Sequence, residues 1–340
     1  MSRRYEAVYV LYPRGVRTGG PEALHQLAAA LRECGTPAFL VPFANTLSSP
    51  RVSEYEQYDV PEAARVLDQP DNAVVVPEVR YLDLARYRRV DRFCWWLSID
   101  NSQLFLSKRR HGAIPVDSLT EQMRRVVHRA ILPLVRPIAL RLPVHHLAQS
   151  AYANNFLRSR AGILSSMLSD YVSLPANTAG TTPERDARRI AFNFAKGGDL
   201  VQQVIDSNAV DADWVPIKNM SHADVIRTLQ SSAIYLDLGH QPGKDRLPRE
   251  AAASGAVALV ARRGAGASDL DFPLPMDHKL VANFSSTESV SVALNTILAD
   301  LTHQYKRQEG FRSVIASERH AFVEDVKRIF VDGEFRTSLI

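Results

Sequence analysis

Short apolar runs alternate with amphipathic stretches along most of the chain, and this alternation predicts strands and helices in turn. In the first half, the runs YEAVYVLY, PAFLVPF, NAVVVPEV and RFCWWLSID are rich in β-branched and aromatic residues, which indicates buried strands. Between the first two, apolar residues recur at helical spacing, with Gly20 at the cap, Pro21 at the first position and Gly35 as the stop. The alternation predicts a parallel sheet covered by helices.

The second half restarts the same alternation. The runs RIAFNFA, DWVPIK, AIYLDLG and AVALVAR predict strands, and GGDLVQQVIDSN, SHADVIRTLQSS and RLPREAAASG predict helices between them. Ser221 and Asp224 have the spacing of a helix-capping box. We therefore predict an α/β protein of two Rossmann-like, doubly wound domains that face each other across a cleft.

The predicted domains follow from this reading of the chain. They are an N-terminal Rossmann-like domain over residues 1–150, a second domain over 151–305, and C-terminal helices over 306–340. The first domain includes a basic helical insertion at about 103–143.

Composition narrows the class of protein. Hydrophobic residues make up 46% of the chain and charged residues 23%, as in ordinary globular proteins. No apolar run is long enough to span a bilayer. The first residues predict a strand rather than a signal peptide. Two cysteines, Cys34 and Cys94, predict neither a disulfide framework nor a cysteine metal site. We therefore expect a cytoplasmic protein.

The net charge of +4 is unevenly distributed. Between Gln103 and Pro143, eight basic residues face only Asp117 and Glu121. The helix predicted from Ser118 would either lie on an anionic membrane at the inner membrane face, or pack on the core with a solvated basic face. Binding of nucleic acid is disfavoured because aromatic residues are not interleaved with the basic ones.

Three loops follow predicted strands, where ligands bind in open α/β sheets. Gly19 and Gly20 open a helix, which favours either an anion or a tight turn without function. Lys196 precedes Gly197 and Gly198, so that its charge would either meet a phosphate or stay solvated at the surface. The spacing is not that of a P-loop.

The third loop, HQPGKDRLPREAAASG, carries most of the candidate chemistry. Lys244 and Arg246 would offset the charge of a pyrophosphate, and Glu250 would accept the hydroxyls of a ribose. The alternative is a charged helix cap in which Asp245 pairs with Arg249 at i,i+4 spacing.

These residues resemble the donor-binding domain of GT-B glycosyltransferases of the retaining, family-4-like kind. The family signature has two Glu separated by seven residues, and RLPREAAASG resembles its latter half, with Glu250 as the second Glu. Pro242 stands where the first Glu would be, and His240 or Asp245 would substitute for it. PGKDRLPREAA resembles a bacterial subgroup encoded with surface-polysaccharide genes.

The resemblance implies further donor contacts. Gly19 and Gly20 match the glycine loop that approaches the diphosphate, and Lys196 matches the Lys of a phosphate-binding pair, with Asn193 near the place of the usual Arg. The stretch VPIKNMSHADV, which includes Lys218 after Ile217, matches the loop that contacts the nucleobase. Lys196 and Arg246 would then act in catalysis by stabilising the leaving diphosphate.

The resemblance implies that residues 151–305 bind the donor and that the C-terminal helices over 306–340 cross back to the first domain. It places the acceptor at the first domain, 1–150, after the strand RFCWWLSID. Trp96 would stack on a sugar ring and Asp100 and Asn101 would orient a hydroxyl, although buried tryptophans of the core are the common alternative. His145, where the chain enters the second half, would contact the donor sugar in catalysis or serve a structural role.

The resemblance implies a metal-independent glycosyltransferase that moves a sugar from a nucleotide-diphosphate donor to a glycan or lipid-linked acceptor. No cofactor and no metal are expected, since the Asp-x-Asp match at Asp211 to Asp213 precedes a strand and predicts a turn. Two alternatives stay open: a degenerate GT-B module that binds nucleotide or glycan without transfer, and a nucleotide-sugar epimerase, which needs no acceptor.

Overall fold

A computed structural model describes residues 4–102, 104–105, 134, 136–173, 185–283, 285 and 287–335. The chain forms two compact units: Met1–Asp170 with His320–Ile340, and Tyr171–Arg319. The first unit thus continues beyond the predicted boundary at residue 150, and only the last part of the segment 306–340 returns to it. Most of the basic segment, including the helix predicted from Ser118, lies outside the described residues, so neither interpretation of it is tested.

The first unit is built on a parallel sheet of six strands in the order β2-β1-β3-β4-β5-β6. Its strands are β1 Ala7–Tyr12, β2 Ala38–Pro42, β3 Asn72–Pro77, β4 Asp91–Trp96, β5 His145–Ala148 and β6 Ser166–Met167, and its helices are α1 Gly19–Glu33 and α2 Ala151–Ala161. All residues of β1 and β3 are buried, as expected for strands covered on both faces.

The second unit has a parallel sheet of five strands in the order β11-β10-β9-β7-β8. Its strands are β7 Asp186–Asn193, β8 Asp213–Ile217, β9 Ser232–Asp237, β10 Val257–Ala261 and β11 Lys279–Leu280. Its helices are α3 Gly198–Asp206, α4 His222–Ser231, α5 Arg246–Ala253, α6 Thr287–Ala299, α7 Leu301–Arg307 and α8 Glu309–Val326, of which α8 ends in the first unit.

The structure confirms the two parallel α/β sheets that the sequence predicts, and it differs in detail. Helix α1 begins at Gly19 after Thr18, so that Gly20 lies inside the helix rather than at its cap. The residues from His145, where the chain was expected to enter the second half, form β5, which pairs with β4 from Phe93↔His145 to Trp96↔Ala148. Ser221 caps α4 as predicted, because its side chain accepts from the N–H of Asp224.

Candidate functional site

The carboxyl ends of β7 and β9 lie side by side in the second unit, and their loops are joined by hydrogen bonds. Asn193 Nδ2 donates to Asp237 Oδ2 at 3.0 Å, and its Oδ1 accepts from the backbone N–H groups of Ala195 and Lys196. Asp237 also accepts from Tyr235 Oη at 3.1 Å and from the N–H of Gly239 at 2.9 Å. Asn193 therefore holds the loop through both ends of its amide, and its expected role as a donor ligand stays a prediction.

Two glycines let these loops touch. A Cβ on Gly197, whose φ is +76°, would lie 2.6 Å from the backbone carbon of Leu238. A Cβ on Gly239 would lie 2.5 Å from Lys196 Cβ. Any larger residue would separate the loops, so both glycines serve to place Lys196 beside the start of α5.

Lys196 forms an ion pair with Asp245, the residue that precedes α5. Burial lowers the pKa of Lys196, but the charge of Asp245 more than offsets this effect, so its pKa is raised and the side chain is an ammonium. Arg249, the predicted partner of Asp245, donates from Nε to the backbone carbonyl of Asp245 and from Nη1 to Glu318.

Glu250 lies on α5, one turn after its start, and is 4% exposed. Its Oε1 is 3.4 Å from Arg246 Nε and 3.5 Å from His222 Nε2. Burial raises the pKa of Glu250, but His222 and Arg246 together bring it below its ordinary value, so the group is a carboxylate at neutral pH. Sequence reasoning missed His222; its place directly after the cap of α4 was the available signal.

Lys244 does not present its ammonium freely to a ligand. Its Nζ is 2.7 Å from Glu318 Oε1, and Arg249 Nη1 is 2.8 Å from Glu318 Oε2. Both basic side chains are nearly buried against Glu318, and the expected contact of Lys244 with a pyrophosphate stays a prediction. Glu318, on α8 and far along the chain, could not be found from sequence spacing.

Lys196, Lys244, Asp245, Arg246, Arg249, Glu250 and Glu318 form the charged cluster at the start of α5. Two further donor-side candidates are Lys218 and His240. Lys218 is exposed and places its Nζ 4.1 Å from the ring centroid of Phe194, in the loop that follows β7. His240 is half-buried and packs against Gly264. Asp211 and Asp213 pair with Arg188 and Arg189, so the Asp-x-Asp match has a structural use.

In the first unit, the predicted candidates after β1 and β4 lie at the carboxyl edge of the sheet. Gly19 and Gly20 form the start of α1, and Asp100 and Asn101 lie in the short turn Ile99–Asn101 after β4.

Sequence reasoning missed Glu78, which directly follows β3 and accepts from the N–H of Leu97 at 3.0 Å. Its burial raises its pKa to about 7. A carboxyl group directly after a buried apolar run was the available signal.

Two candidates of the first unit are corrected. Trp96 is 0% exposed and donates from Nε1 to His146 Nδ1 at 3.0 Å, so it has no surface on which a sugar could stack. His145 is the first residue of β5, at the amino end of the sheet, and its ring packs 4.1 Å from that of Phe335 and 4.9 Å from that of Phe93. Ligands bind at the opposite edge, so His145 is a packing residue.

Among the residues that the structure describes, no cluster of three or more His, Cys, Asp or Glu side chains is arranged to hold a metal ion. The described helices also include none with the length and apolarity needed to cross a membrane.

No protein-family model and no curated protein matches the chain. Among solved structures, it is similar to sucrose-phosphate synthase from Thermosynechococcus elongatus, with a TM-score of 0.65, 10% identity, and coverage of 96% of this chain and 98% of that one. It is also similar to WaaG, a glycosyltransferase involved in lipopolysaccharide biosynthesis, with a TM-score of 0.57, 11% identity, and coverage of 95% and 99%.

A third similar structure is S. aureus TarM, solved in complex with fondaparinux, alpha-GlcNAc-glycerol and UDP. The TM-score is 0.53 and the identity 8%, over 78% of this chain and 56% of that one. At such identities the likeness is one of fold. The chain thus has the GT-B fold of these glycosyltransferases, with two parallel-sheet α/β units.

Proposed function

We propose that the chain is a glycosyltransferase whose second unit binds the nucleotide-diphosphate sugar. The observation that carries this proposal is the cluster at the carboxyl ends of β7 and β9, where Lys196, Arg246 and Glu250 meet at the start of α5. Helix starts and fixed cations stabilise phosphate charge, and a buried carboxylate fixed by two basic neighbours is suited to accept ribose hydroxyls.

The role of each residue follows from its surroundings. Lys196 and Arg246 are proposed to contact the diphosphate, and Glu250 the ribose. His240 and Lys218 are proposed to contact other parts of the donor. His222 holds Glu250 in place through their 3.5 Å contact. In the first unit, Gly19 and Gly20 remain proposed phosphate contacts, and Asp100 and Asn101 proposed acceptor contacts.

The acceptor class and the stereochemistry belong to the same proposal. We propose a glycan or lipid-linked acceptor in surface-polysaccharide or glycoconjugate biosynthesis, with retention of configuration. WaaG, whose fold is similar, is involved in lipopolysaccharide biosynthesis. A peripheral membrane contact through residues 103–143 would suit a lipid-linked acceptor.

Transfer is proposed to need no metal, because lysine, arginine and helix starts supply the positive potential. Addition of EDTA is expected to leave the rate of transfer unchanged, measured as release of nucleoside diphosphate. Loss of the rate in EDTA, with recovery on adding Mg²⁺ or Mn²⁺, would contradict metal independence.

A degenerate binding module is the second candidate, and one observation favours it. The four cations of the cluster, Lys196, Lys244, Arg246 and Arg249, are matched by four carboxylates, Asp237, Asp245, Glu250 and Glu318. Such a balance leaves little net positive charge for a leaving diphosphate unless one carboxylate moves.

The experiment that separates these readings is release of nucleoside diphosphate from a panel of nucleotide sugars, with and without glycan acceptors. We expect acceptor-dependent release with one donor, reduced at least ~10-fold by Glu250→Gln through loss of a charged hydrogen bond. The matched control, Glu288→Gln, is exposed on α6 of the same unit and should keep the wild-type rate. Binding without release favours the degenerate module, and conversion of the donor without acceptor favours the epimerase.

A further inference from the structure

Asp245 is the N-cap residue of α5, yet its side chain makes no capping hydrogen bond. Aspartate at this position commonly accepts from the N–H of the second or third helical residue. In α5 the third residue is Pro248, which has no N–H to donate. The carboxylate instead pairs with Lys196 across the loop after β7.

Lys196 is also the cation of the cluster that a ligand would reach first. Its side chain is 34% exposed, against 9% for Lys244, 11% for Arg246 and 0% for Arg249. The carboxylate on Lys196 is itself 21% exposed, whereas Glu250 and Glu318 are each 5% exposed. The accessible cation is thus covered by the accessible carboxylate.

The charges of Lys196 and Arg249 both attract Asp245, but Asp245 also lies beside a second carboxylate, Asp237. Asp237, whose oxygens are held by Asn193, Tyr235 and the N–H of Gly239, contributes a second negative charge to the same site. Two like charges that compete for one ammonium weaken each contact. Glu318 contacts two cations directly, Lys244 at 2.7 Å and Arg249 at 2.8 Å.

The geometry points to Asp245 as an internal competitor that pairs with Lys196 and is displaced by the diphosphate of the donor. This inference rests on the proposed function and deepens it. A diphosphate carries more charge than a single carboxylate and can displace it, whereas an uncharged nucleoside cannot. The exchange therefore selects ligands that carry the diphosphate. It also frees one cation in a cluster whose positive and negative charges are otherwise equal in number.

The test is isothermal titration of UDP, GDP, ADP, CDP and dTDP into the full-length protein and into the variant Asp245→Asn. The variant keeps the shape of the side chain and removes its charge. If the contact with Lys196 is populated ~90% of the time, its loss should tighten binding of the diphosphate about 10-fold. The control Asp269→Asn removes the same charge from the same unit, beside Lys279, and should leave the affinity unchanged.

Two further variants separate exchange from a structural role. Asp245→Ser places another good N-cap residue at the position and should tighten binding as well, which also covers the case that Asp245→Asn does not fold. In a Lys196→Ala background, Asp245→Asn should give no gain, since the competed group is absent.

Binding by the wild type that is equal to or tighter than binding by both Asp245 variants would overturn the inference and leave the proposed function standing. No binding of any nucleotide to the wild type or to any variant would overturn both.

Discussion

Gly20 is a glycine that its own unit does not require. A Cβ at this position would meet only Leu97 Cδ1, at 3.8 Å, which is an ordinary contact. Its place in the first turn of α1 is what a close approach of ligand to backbone would need. The sequence could predict the glycine pair, and the structure adds that packing within the described part of the unit does not explain it.

Gly20→Ala is expected to keep or slightly raise stability, by up to about 1 kcal/mol, because alanine favours a helix over glycine. Its affinity for the donor should fall. Urea unfolding and titration of nucleotide sugar measure the two effects. Gly310→Ala, the same change in the first turn of α8 with nothing within 4 Å, is the matched control. Unchanged donor affinity in Gly20→Ala would remove this glycine from the site.

Glu78 makes stability depend on pH. Burial raises its pKa from 4.5 to about 7 in the folded protein, so its contribution is fully present below pH 4.5 and is lost as the pH rises through 7. Across that window Glu78→Gln should gain about 3 kcal/mol relative to wild type, at about 1.4 kcal/mol for each unit of pKa.

The difference in stability between wild type and Glu78→Gln isolates this carboxyl group from other groups that titrate in the same pH range. His25 and His146 have pKa values lowered by burial to about 4 and about 3, so their contributions fall as the pH falls and oppose that of Glu78. Urea unfolding of both proteins at several pH values measures the difference. A difference that stays constant from pH 4 to 8 would contradict the buried carboxyl.

Among the elements, the loops after β7 and β9 act as one structure. Asn193, Asp237 and Gly239 join them, and Gly197 and Gly239 allow their contact. The sequence predicted both strands and the helix starts that follow them, because apolar runs and glycine stops are local signals. The sequence could not predict that the amide of Asn193 donates a hydrogen bond to Asp237, since this depends on which strands are neighbours.

Gly239→Ala should disrupt the contact between the loops after β7 and β9. The new Cβ would lie 2.5 Å from Lys196 Cβ and 2.9 Å from the backbone carbon of Lys196, and such overpacking costs about 1–3 kcal/mol of stability. Gly198→Ala, at the first residue of α3, is the control, because its Cβ would meet only the Phe194 ring, at 3.9 Å. Urea unfolding measures the stability of both variants. Equal stability would mean that the two loops can move apart without cost.

For the molecule as a whole, the alternation of strands and helices was enough to predict two parallel α/β sheets. The unit boundary was not predictable, because β5 and β6 are short strands without a long apolar run, and residues 320–340 join the first unit only through tertiary packing. Phe322, for example, stacks on Trp95, 6.1 Å between ring centroids. The same long-range packing brings Glu318 to Lys244 and His222 to Glu250, and neither pair has a signal in the sequence spacing.

The proposed nucleotide site in the second unit is tested most directly by thermal unfolding with a panel of nucleoside diphosphates and nucleotide sugars. The proteins compared are wild type, Glu250→Gln and Glu288→Gln. A ligand that binds only the folded protein raises the melting temperature by mass action. We predict that one base raises it for wild type and Glu288→Gln and that Glu250→Gln loses most of the shift. An equal shift in all three proteins would place the nucleotide away from Glu250, and no shift with any nucleotide would contradict a donor site at α5.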